Sequence, residues 1–282
     1  MKTMLIPVDF TETSENAVNF AVEWCRKYEY ERIILLKTFY DSMFENMVIS
    51  AEYARVNQDY LSRERENAEE QLTQLRTRLS EKTGQTIQVA SVFSELPLLR
   101  AAVELIEEEK PELLVLGSDN YNYSSGSFIA GNLIALAKGS PIRVLIVPAD
   151  YIYQPVKRAL VPFDFNLVST LEKLSYLTKN PQWNDMKLLV LNVDPKQRFL
   201  NKDEKFFATE ESLHRYLENF PHEIFYDNDK NIISGIINFT KTHEADLIIA
   251  LPGQRSFLYS LTHKSISEAI YQNARQPVLI LK

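Results

Sequence analysis

Short apolar runs alternate with longer amphipathic segments along this chain. The short runs are rich in Leu, Ile and Val and predict β-strands that are buried on both faces, because such strands lose the alternation of apolar and polar positions. In the first half these runs are 3–8, 32–39, 86–93, 112–117 and 143–148. Segments with apolar residues at helical spacing lie between them and predict helices over 14–28, 50–82 and 96–109.

Local signals at the helix ends refine these predictions. Ser14 is predicted to cap the first helix, and Pro97 is predicted to lie in the first turn of the third. The second segment is densely charged, so it is predicted to be a solvent-exposed helix that ends near Gly84. Strands and helices that alternate through right-handed crossovers predict a doubly wound α/β sheet, whose ligands bind beyond the carboxyl ends of the strands.

The chain repeats itself. The segment "MKTMLIPVDF" (1–10) returns as "VKRALVPFDF" (156–165), "PELLVLGSDN" (111–120) as "ADLIIALPGQ" (245–254), and "RVLIVP" (143–148) as "PVLILK" (277–282). Self-similarity on this scale predicts two copies of one domain, at 1–150 and 155–282, with a shorter second helix in the second copy. Each copy ends in an apolar strand, and the two end strands are predicted to pair, because this would cover two aggregation-prone edges.

The composition of the chain argues against several kinds of binding partner and indicates where the protein is located. The chain has 282 residues, a net charge of -7 and a pI near 5.3, which argues against nucleic acid and anionic membranes. No apolar run approaches the roughly 20 residues that span a bilayer, and the N-terminal segment leads directly into a predicted strand rather than a signal peptide. The single cysteine, Cys25, lies at helical spacing from Ala17, Val18 and Ala21 and is predicted to be a core residue. These features predict a cytoplasmic protein.

Common catalytic and metal-binding patterns are missing from the sequence. All four histidines lie in the second half, and none has HExxH spacing or an accompanying cysteine. The sequence has no GxSxG elbow and no Walker A loop. We therefore predict that the protein is not an enzyme and holds no metal.

Three groups of residues resemble the universal stress protein family in its tandem two-domain form. They are the openings "LIPVDF" and "LVPFDF", the segment "FIAGN" (128–132) and the stretch 246–281. The resemblance covers nearly the whole chain. It implies two Rossmann-like domains of the adenine nucleotide alpha hydrolase type, each a five-stranded parallel sheet with helices on both faces, and a role in stress response.

Many members of this family bind ATP through a loop after the fourth strand. Its pattern is glycine, two residues, glycine, nine residues, then glycine followed by serine or threonine, and its backbone N–H groups hold the phosphates. Gly117 matches the first glycine, whereas Asn120, Ala130 and Gly131 stand at the other positions. The resemblance thus implies a weakened site for ATP or another adenine nucleotide in the first copy. The candidate residues are Pro7, Val8, Asp9, Thr38, Gly117, Ser118, Asn120, Ala130, Gly131 and Asn132.

The role of Asp9 remains open at this stage, whereas the second copy allows a prediction. Asp9 and its counterpart Asp164 resemble the family's adenosine-contacting residue, but an Asp before a predicted helix suits a helix cap equally well. In the second copy Leu251, Gln254 and Lys264 replace all three glycines, so we predict that this copy has lost ATP binding.

Two functional hypotheses follow. The first is a regulatory adaptor that acts through an unidentified protein partner and through dimer contacts, with little or no nucleotide binding. The second is an adenine-nucleotide sensor that uses the loop 117–132. Pairing of whole chains into a homodimer is compatible with both.

Overall fold

The computed structural model describes residues 1–39, 51–84, 86–119, 127–200, 203–252, 270 and 274–282. The predicted loop positions Asn120, Gln254 and Lys264 lie outside these ranges.

Ten strands of the described chain form one sheet in the order β3-β2-β1-β4-β5-β10-β9-β6-β7-β8. Neighbouring strands are parallel within each half, and β5 and β10 pair antiparallel at the centre, with Leu145 opposite Leu279. Each half therefore repeats the same strand order from the centre outward. The strands are β1 (Thr3–Pro7), β2 (Arg32–Thr38), β3 (Gln88–Ser94), β4 (Leu113–Ser118), β5 (Arg143–Pro148), β6 (Arg158–Pro162), β7 (Lys187–Val193), β8 (His222–Asp227), β9 (Leu247–Ala250) and β10 (Val278–Ile280).

Helices cover both faces of this sheet. The α-helices are α1 (Glu12–Tyr28), α2 (Ala51–Lys82), α3 (Leu98–Glu109), α4 (Phe128–Gly131), α5 (Leu133–Gly139), α6 (Glu204–Leu217) and α7 (Ile232–Thr242), and 3₁₀ helices span Phe165–Lys179, Pro181–Trp183 and Arg198–Leu200. One core lies under α1, α2, α6 and the long 3₁₀ helix, and the other lies under α3, α5 and α7. This arrangement confirms the predicted fold class of Rossmann-like units with helices on both faces.

Two helix starts differ from the predictions. Helix α1 begins at Glu12 and its N-cap is Thr11, whose hydroxyl accepts the N–H of Ser14 at 3.4 Å, so the prediction that Ser14 is the cap was wrong. The backbone at Phe10 has a φ of 61°, and this sharp turn starts the helix earlier than expected. Pro97 is the N-cap of α3 rather than a residue of its first turn.

A 3₁₀ helix replaces the α-helix expected after β6. Its apolar residues Phe165, Val168, Leu171, Leu174 and Leu177 recur at every third position. In a 3₁₀ helix residues i and i+3 lie on the same side, whereas in an α-helix this spacing would drift by about 60° per step. The backbone at Leu167 is not helical (φ -127°, ψ 28°) and separates Phe165 from the other four, which are all buried. The spacing of these four therefore matches the helix type that places them together on the sheet.

Aromatic side chains join the two halves. The ring of Trp183 stacks on Tyr28 of α1, with centroids 4.2 Å apart and planes inclined by 19°, and it contacts Trp24 at 5.7 Å. The guanidinium carbon of Arg143 lies 3.2 Å from the ring centroid of Tyr176 in the long 3₁₀ helix. Residues of both halves thus contribute to each core.

Candidate functional site

The carboxyl ends of β1, β2 and β4 meet at the edge where the sequence predicts a ligand. Pro7 ends β1, Thr38 ends β2 and Ser118 ends β4. Val8 is buried in the core, and its N–H donates to the carbonyl oxygen of Leu36 at 2.8 Å. These residues form the backbone surface at the strand ends, and the polar side chains next to it belong to the loops that follow the strands.

Asp9 is the centre of the polar contacts at this edge. Its Oδ2 accepts hydrogen bonds from the Ser127 hydroxyl (2.5 Å) and the Ile129 N–H (3.0 Å). Its Oδ1 accepts from the hydroxyl (2.6 Å) and the N–H (3.3 Å) of Thr11. Ser127 is the N-cap of α4 and Ile129 lies in that helix. We call the contact of Asp9 with Ser127 and Ile129 the Asp9 latch. Asp9 therefore binds both the N-cap residue and the first turn of α4, a distant helix that the sequence did not identify as its partner.

Hydrogen bonds to Asp9 outweigh the effect of burial on the pKa of its carboxyl group. Burial alone would raise the pKa of Asp9, but hydrogen bonds from Ile129, Ser127, Thr11 and Ser14 hold the pKa below its ordinary value of 3.8. The carboxylate is thus ionised at neutral pH and makes charge-assisted hydrogen bonds.

We expect the latch to stabilise the protein only while Asp9 is ionised. Because the folded-state pKa lies below the unfolded one, this contribution is present above the unfolded pKa and is lost as the pH falls through the folded pKa, below 3.8. Asp9→Asn should remove this pH dependence. At pH 7 it should lower the free energy of unfolding by about 1–3 kcal/mol, because the donors of Ser127 and Ile129 lose a charged acceptor.

Urea unfolding over a pH series from about 7 down to about 2.5 measures this effect. Asp185→Asn, which changes an exposed carboxylate, is the matched control and should behave like the wild type throughout the series. Equal losses of stability on acidification in the wild type and in Asp9→Asn would contradict the prediction.

A half-buried lysine shares the edge with Asp9. The ammonium of Lys37 lies 5.0 Å from the ring centroid of Phe10. Burial lowers the pKa of Lys37, and the negative charge of Asp9 opposes this shift. The left-handed φ of Phe10 is strained for a bulky residue, as is common near functional sites. The edge therefore brings the Lys37 ammonium and the Asp9 carboxylate together in a partly desolvated setting.

Gly117, which matches the first glycine of the family pattern, and Gly131, which stands at its serine or threonine position, have different surroundings. A Cβ atom on Gly117 would lie 2.7 Å from the carbonyl oxygen of Thr13 and 2.9 Å from its Cγ2. Gly117 thus lets β4 approach the start of α1, where the Thr13 hydroxyl also donates to Asp119 at 2.6 Å. A Cβ atom on Gly131 would meet nothing within 4 Å. The lack of a side chain is therefore a packing requirement at Gly117 and not at Gly131.

Backbone donors at α4 already have acceptors within the chain. The Ala130 N–H donates to the Ser127 hydroxyl at 3.1 Å, and the Gly131 N–H donates to the Ser127 carbonyl at 3.0 Å. Asn132 donates from its backbone to the carbonyl of Ile129 and from its side chain to that of Phe128. The structure thus brings Asp9, Ala130, Gly131 and Asn132 into one region, with their polar groups largely engaged.

An aromatic cluster lies at the equivalent edge of the second half. Phe165 is the counterpart of Phe10, and it stacks on Tyr226 (centroids 5.7 Å apart) and on Phe206 (5.4 Å). Phe199 also stacks on Tyr226, at 5.5 Å. The sequence prediction missed this cluster, although Phe165 and Phe199 follow β6 and β7 along the chain and Tyr226 lies near the end of β8. Aromatic rings thus occupy the strand ends of the second half, whereas the corresponding strand ends of the first half carry the polar contacts of Asp9.

Within the ranges that the structure describes, no helix combines the length and the apolar character needed to cross a lipid bilayer.

Comparison with known proteins places the chain in a family. The profile of the Universal stress protein family matches residues 1–148. Curated proteins give no match. Among solved structures the chain is similar to a universal stress protein from Archaeoglobus fulgidus DSM 4304, with 14% identity, a TM-score of 0.66 and coverage of 99% of this chain and 98% of that one. It is also similar to a protein described as a universal stress protein from Pseudomonas aeruginosa UCBPP-PA14, with 12% identity, a TM-score of 0.55 and coverage of 100% and 93%.

At these sequence identities the solved structures support the fold alone. The assignment of the chain to a family therefore depends on the family profile. The profile spans more than half of the 282 residues. This chain therefore belongs to the universal stress protein family.

Proposed function

We propose that this protein is a regulatory stress-response protein that acts through protein contacts, and that its two domains, 1–150 and 155–282, have lost most of the nucleotide-binding capacity of the family. The observation that carries the proposal is the Asp9 latch. The residue that resembles the family's adenosine contact accepts four hydrogen bonds from its own chain. A nucleotide that used Asp9 would have to break some of them.

The surroundings of the latch support the same conclusion. The N–H groups of Ile129, Ala130 and Gly131 all donate to acceptors within the chain. A phosphate group would therefore exchange existing hydrogen bonds for new ones, and such an exchange yields little net free energy. In the second half the stacked rings of Phe165 and Tyr226 take the place of the polar edge. The proposal assigns no catalysed reaction to either edge.

A second copy of the chain is the simplest candidate among protein partners. The outer strands of the described sheet, β3 and β8, each leave one edge without a strand neighbour, and such edges invite pairing. Size-exclusion chromatography with light scattering tests this part of the proposal, and a monomer at micromolar concentration would exclude the homodimer while leaving other partners open.

Nucleotide analysis tests the main proposal. Protein purified without added nucleotide should release no stoichiometric adenine nucleotide on denaturation, and calorimetric titration with millimolar ATP should give no binding heat. Stoichiometric nucleotide in the released fraction would contradict the proposal.

The alternative function is an adenine-nucleotide sensor in the first half. The observation that favours it is Lys37, a half-buried cation beside Asp9 that is placed to pair with an anionic ligand. Under this alternative the latch competes with the ligand. Ser127→Ala removes one bond of the latch and should then strengthen ATP binding, whereas under the adaptor proposal neither the wild type nor Ser127→Ala should bind ATP.

A further inference from the structure

Two histidines contact each other at an outer edge of the sheet, far along the chain from the Asp9 latch. His214 lies in the last turn of α6, and His222 is the first residue of β8. The Nδ1 atom of His214 is 3.2 Å from the Nε2 atom of His222. The Nδ1 atom of His222 is 2.9 Å from the carbonyl oxygen of Phe220, which can only accept a hydrogen bond. In its neutral form His222 therefore carries its proton on Nδ1, and the lone pair of its Nε2 is directed at His214.

Contrary to the expectation from sequence spacing that the protein holds no metal, we propose that His214 and His222 form a binding site for a divalent transition-metal ion of the Zn²⁺ or Ni²⁺ class. Bonds of about 2.0–2.1 Å from metal to imidazole nitrogen, at angles of about 90–110°, place the two nitrogens roughly 2.9–3.4 Å apart. The observed separation of 3.2 Å falls in this range. Imidazole is a preferred ligand of these ions.

The contact of His222 with the backbone supports this assignment independently. Histidines that bind metals commonly donate the N–H of their other ring nitrogen to a backbone carbonyl or a carboxylate, which fixes the tautomer and the ring orientation. The hydrogen bond from His222 to the carbonyl of Phe220 is a contact of this kind. One of the two ligands is thus already oriented with the correct nitrogen unprotonated.

Metal binding requires a small adjustment of the rings. The ring centroids are 5.4 Å apart, so the two nitrogens point almost directly at each other. An ion about 2.05 Å from both nitrogens requires each ring axis to tilt by about 40° from the line between them. His214 is exposed and the χ2 torsion of histidine is broad, so rotation of this ring can supply most of the change. His214 must also move its proton from Nδ1 to Nε2, an exchange through solvent that releases no net proton.

The ion would connect two elements of the second half. Within the described residues no cluster of three or more His, Cys, Asp or Glu side chains is close enough to hold a metal, so water completes the coordination of this two-ligand site. Because the ligands come from the end of α6 and the start of β8, binding would tie the helix to the edge strand. A ligand that binds only the folded state raises the stability of that state.

Calorimetric titration of the untagged, full-length protein with ZnCl₂ and with NiCl₂ tests the proposal. We expect one ion per chain and a midpoint of thermal unfolding that rises with metal concentration. His214→Gln and His222→Gln should each weaken binding by at least about tenfold. His243→Gln is the matched control and should bind like the wild type, because His243 stacks on Phe239 (centroids 3.7 Å apart) rather than on another histidine.

A spectroscopic measurement on the wild type avoids reliance on the folding of variants. Long-range ¹H–¹⁵N spectra of the imidazole rings should show metal-induced shifts at Nδ1 of His214 and Nε2 of His222. Failure of the wild type to bind either ion, binding that survives in the double variant, or shifts confined to other histidines would each overturn the proposal.

Discussion

Trp183→Ala should lower the free energy of unfolding by about 3–5 kcal/mol. Trp183 is 5% exposed and belongs to the second half, but its ring stacks on Tyr28 and contacts Trp24 of the first half. Removing the indole deletes a large buried surface and leaves a cavity between two helical elements that the sheet holds in place. Because the surrounding structure can collapse only in part, the cost should lie in the range of large-to-small core substitutions.

Denaturant unfolding followed by circular dichroism measures this loss. Phe207→Ala is the matched control, because Phe207 lies in the same half and is 55% exposed, and its effect should stay within about 0.5 kcal/mol. Trp24 is the remaining tryptophan in the variant, and its emission should shift to longer wavelength as water reaches the cavity. A loss for Trp183→Ala no greater than that of the control would show that the aromatic contacts do not stabilise the union of the halves.

Gly117→Val should destabilise the protein by about 3 kcal/mol, at the upper end of the cost of overpacking. The new Cβ would lie 2.7 Å from the carbonyl oxygen of Thr13, and this backbone atom belongs to the first turn of α1. Relief would require β4 and α1 to separate. A flexible side chain could move away, but the backbone of a helix in contact with the sheet cannot.

Gly131→Ala is the matched control for this substitution. The added methyl group meets nothing within 4 Å, and alanine favours the helical state over glycine by roughly 1 kcal/mol, so stability should stay constant or rise. Urea midpoints of both variants provide the measurement. A Gly117→Val midpoint equal to that of the wild type would refute the packing role. The same contact means that a loss of ligand binding in Gly117→Val would need a stability measurement before it could be attributed to the binding loop.

Patterns within a short segment predicted most of the fold. The apolar runs at 32–39 and 143–148 and the helical spacing in 14–28 depend on local periodicity, and the structure has β2, β5 and α1 at these places. The repeat predicted the shared strand order of the halves, because equal patterns in equal order fold in the same way. The helix ends were less predictable, since the choice between Thr11 and Ser14 as cap depended on the turn at Phe10.

Contacts between distant segments determined what the sequence could not predict. Asp9 precedes α1, so local reasoning considered that helix or a ligand as its partner, but its carboxylate bonds to Ile129 in α4. The stacking of Trp183 on Tyr28 likewise depends on how the two halves meet. The 3₁₀ helix is a different case, because its period of three was visible between Phe165 and Leu177, but the repeat favoured an α-helix at that place.

The antiparallel pairing of β5 with β10 has a geometric consequence for recognition. Because the strands of one half run opposite to those of the other, the rim that carries Asp9 and the rim that carries Phe165 open toward opposite ends of the molecule. No single small molecule can reach both. A macromolecule that contacts both Asp9 and the aromatic cluster around Phe165 has to extend along the protein from one end to the other. Each end can therefore bind a different partner.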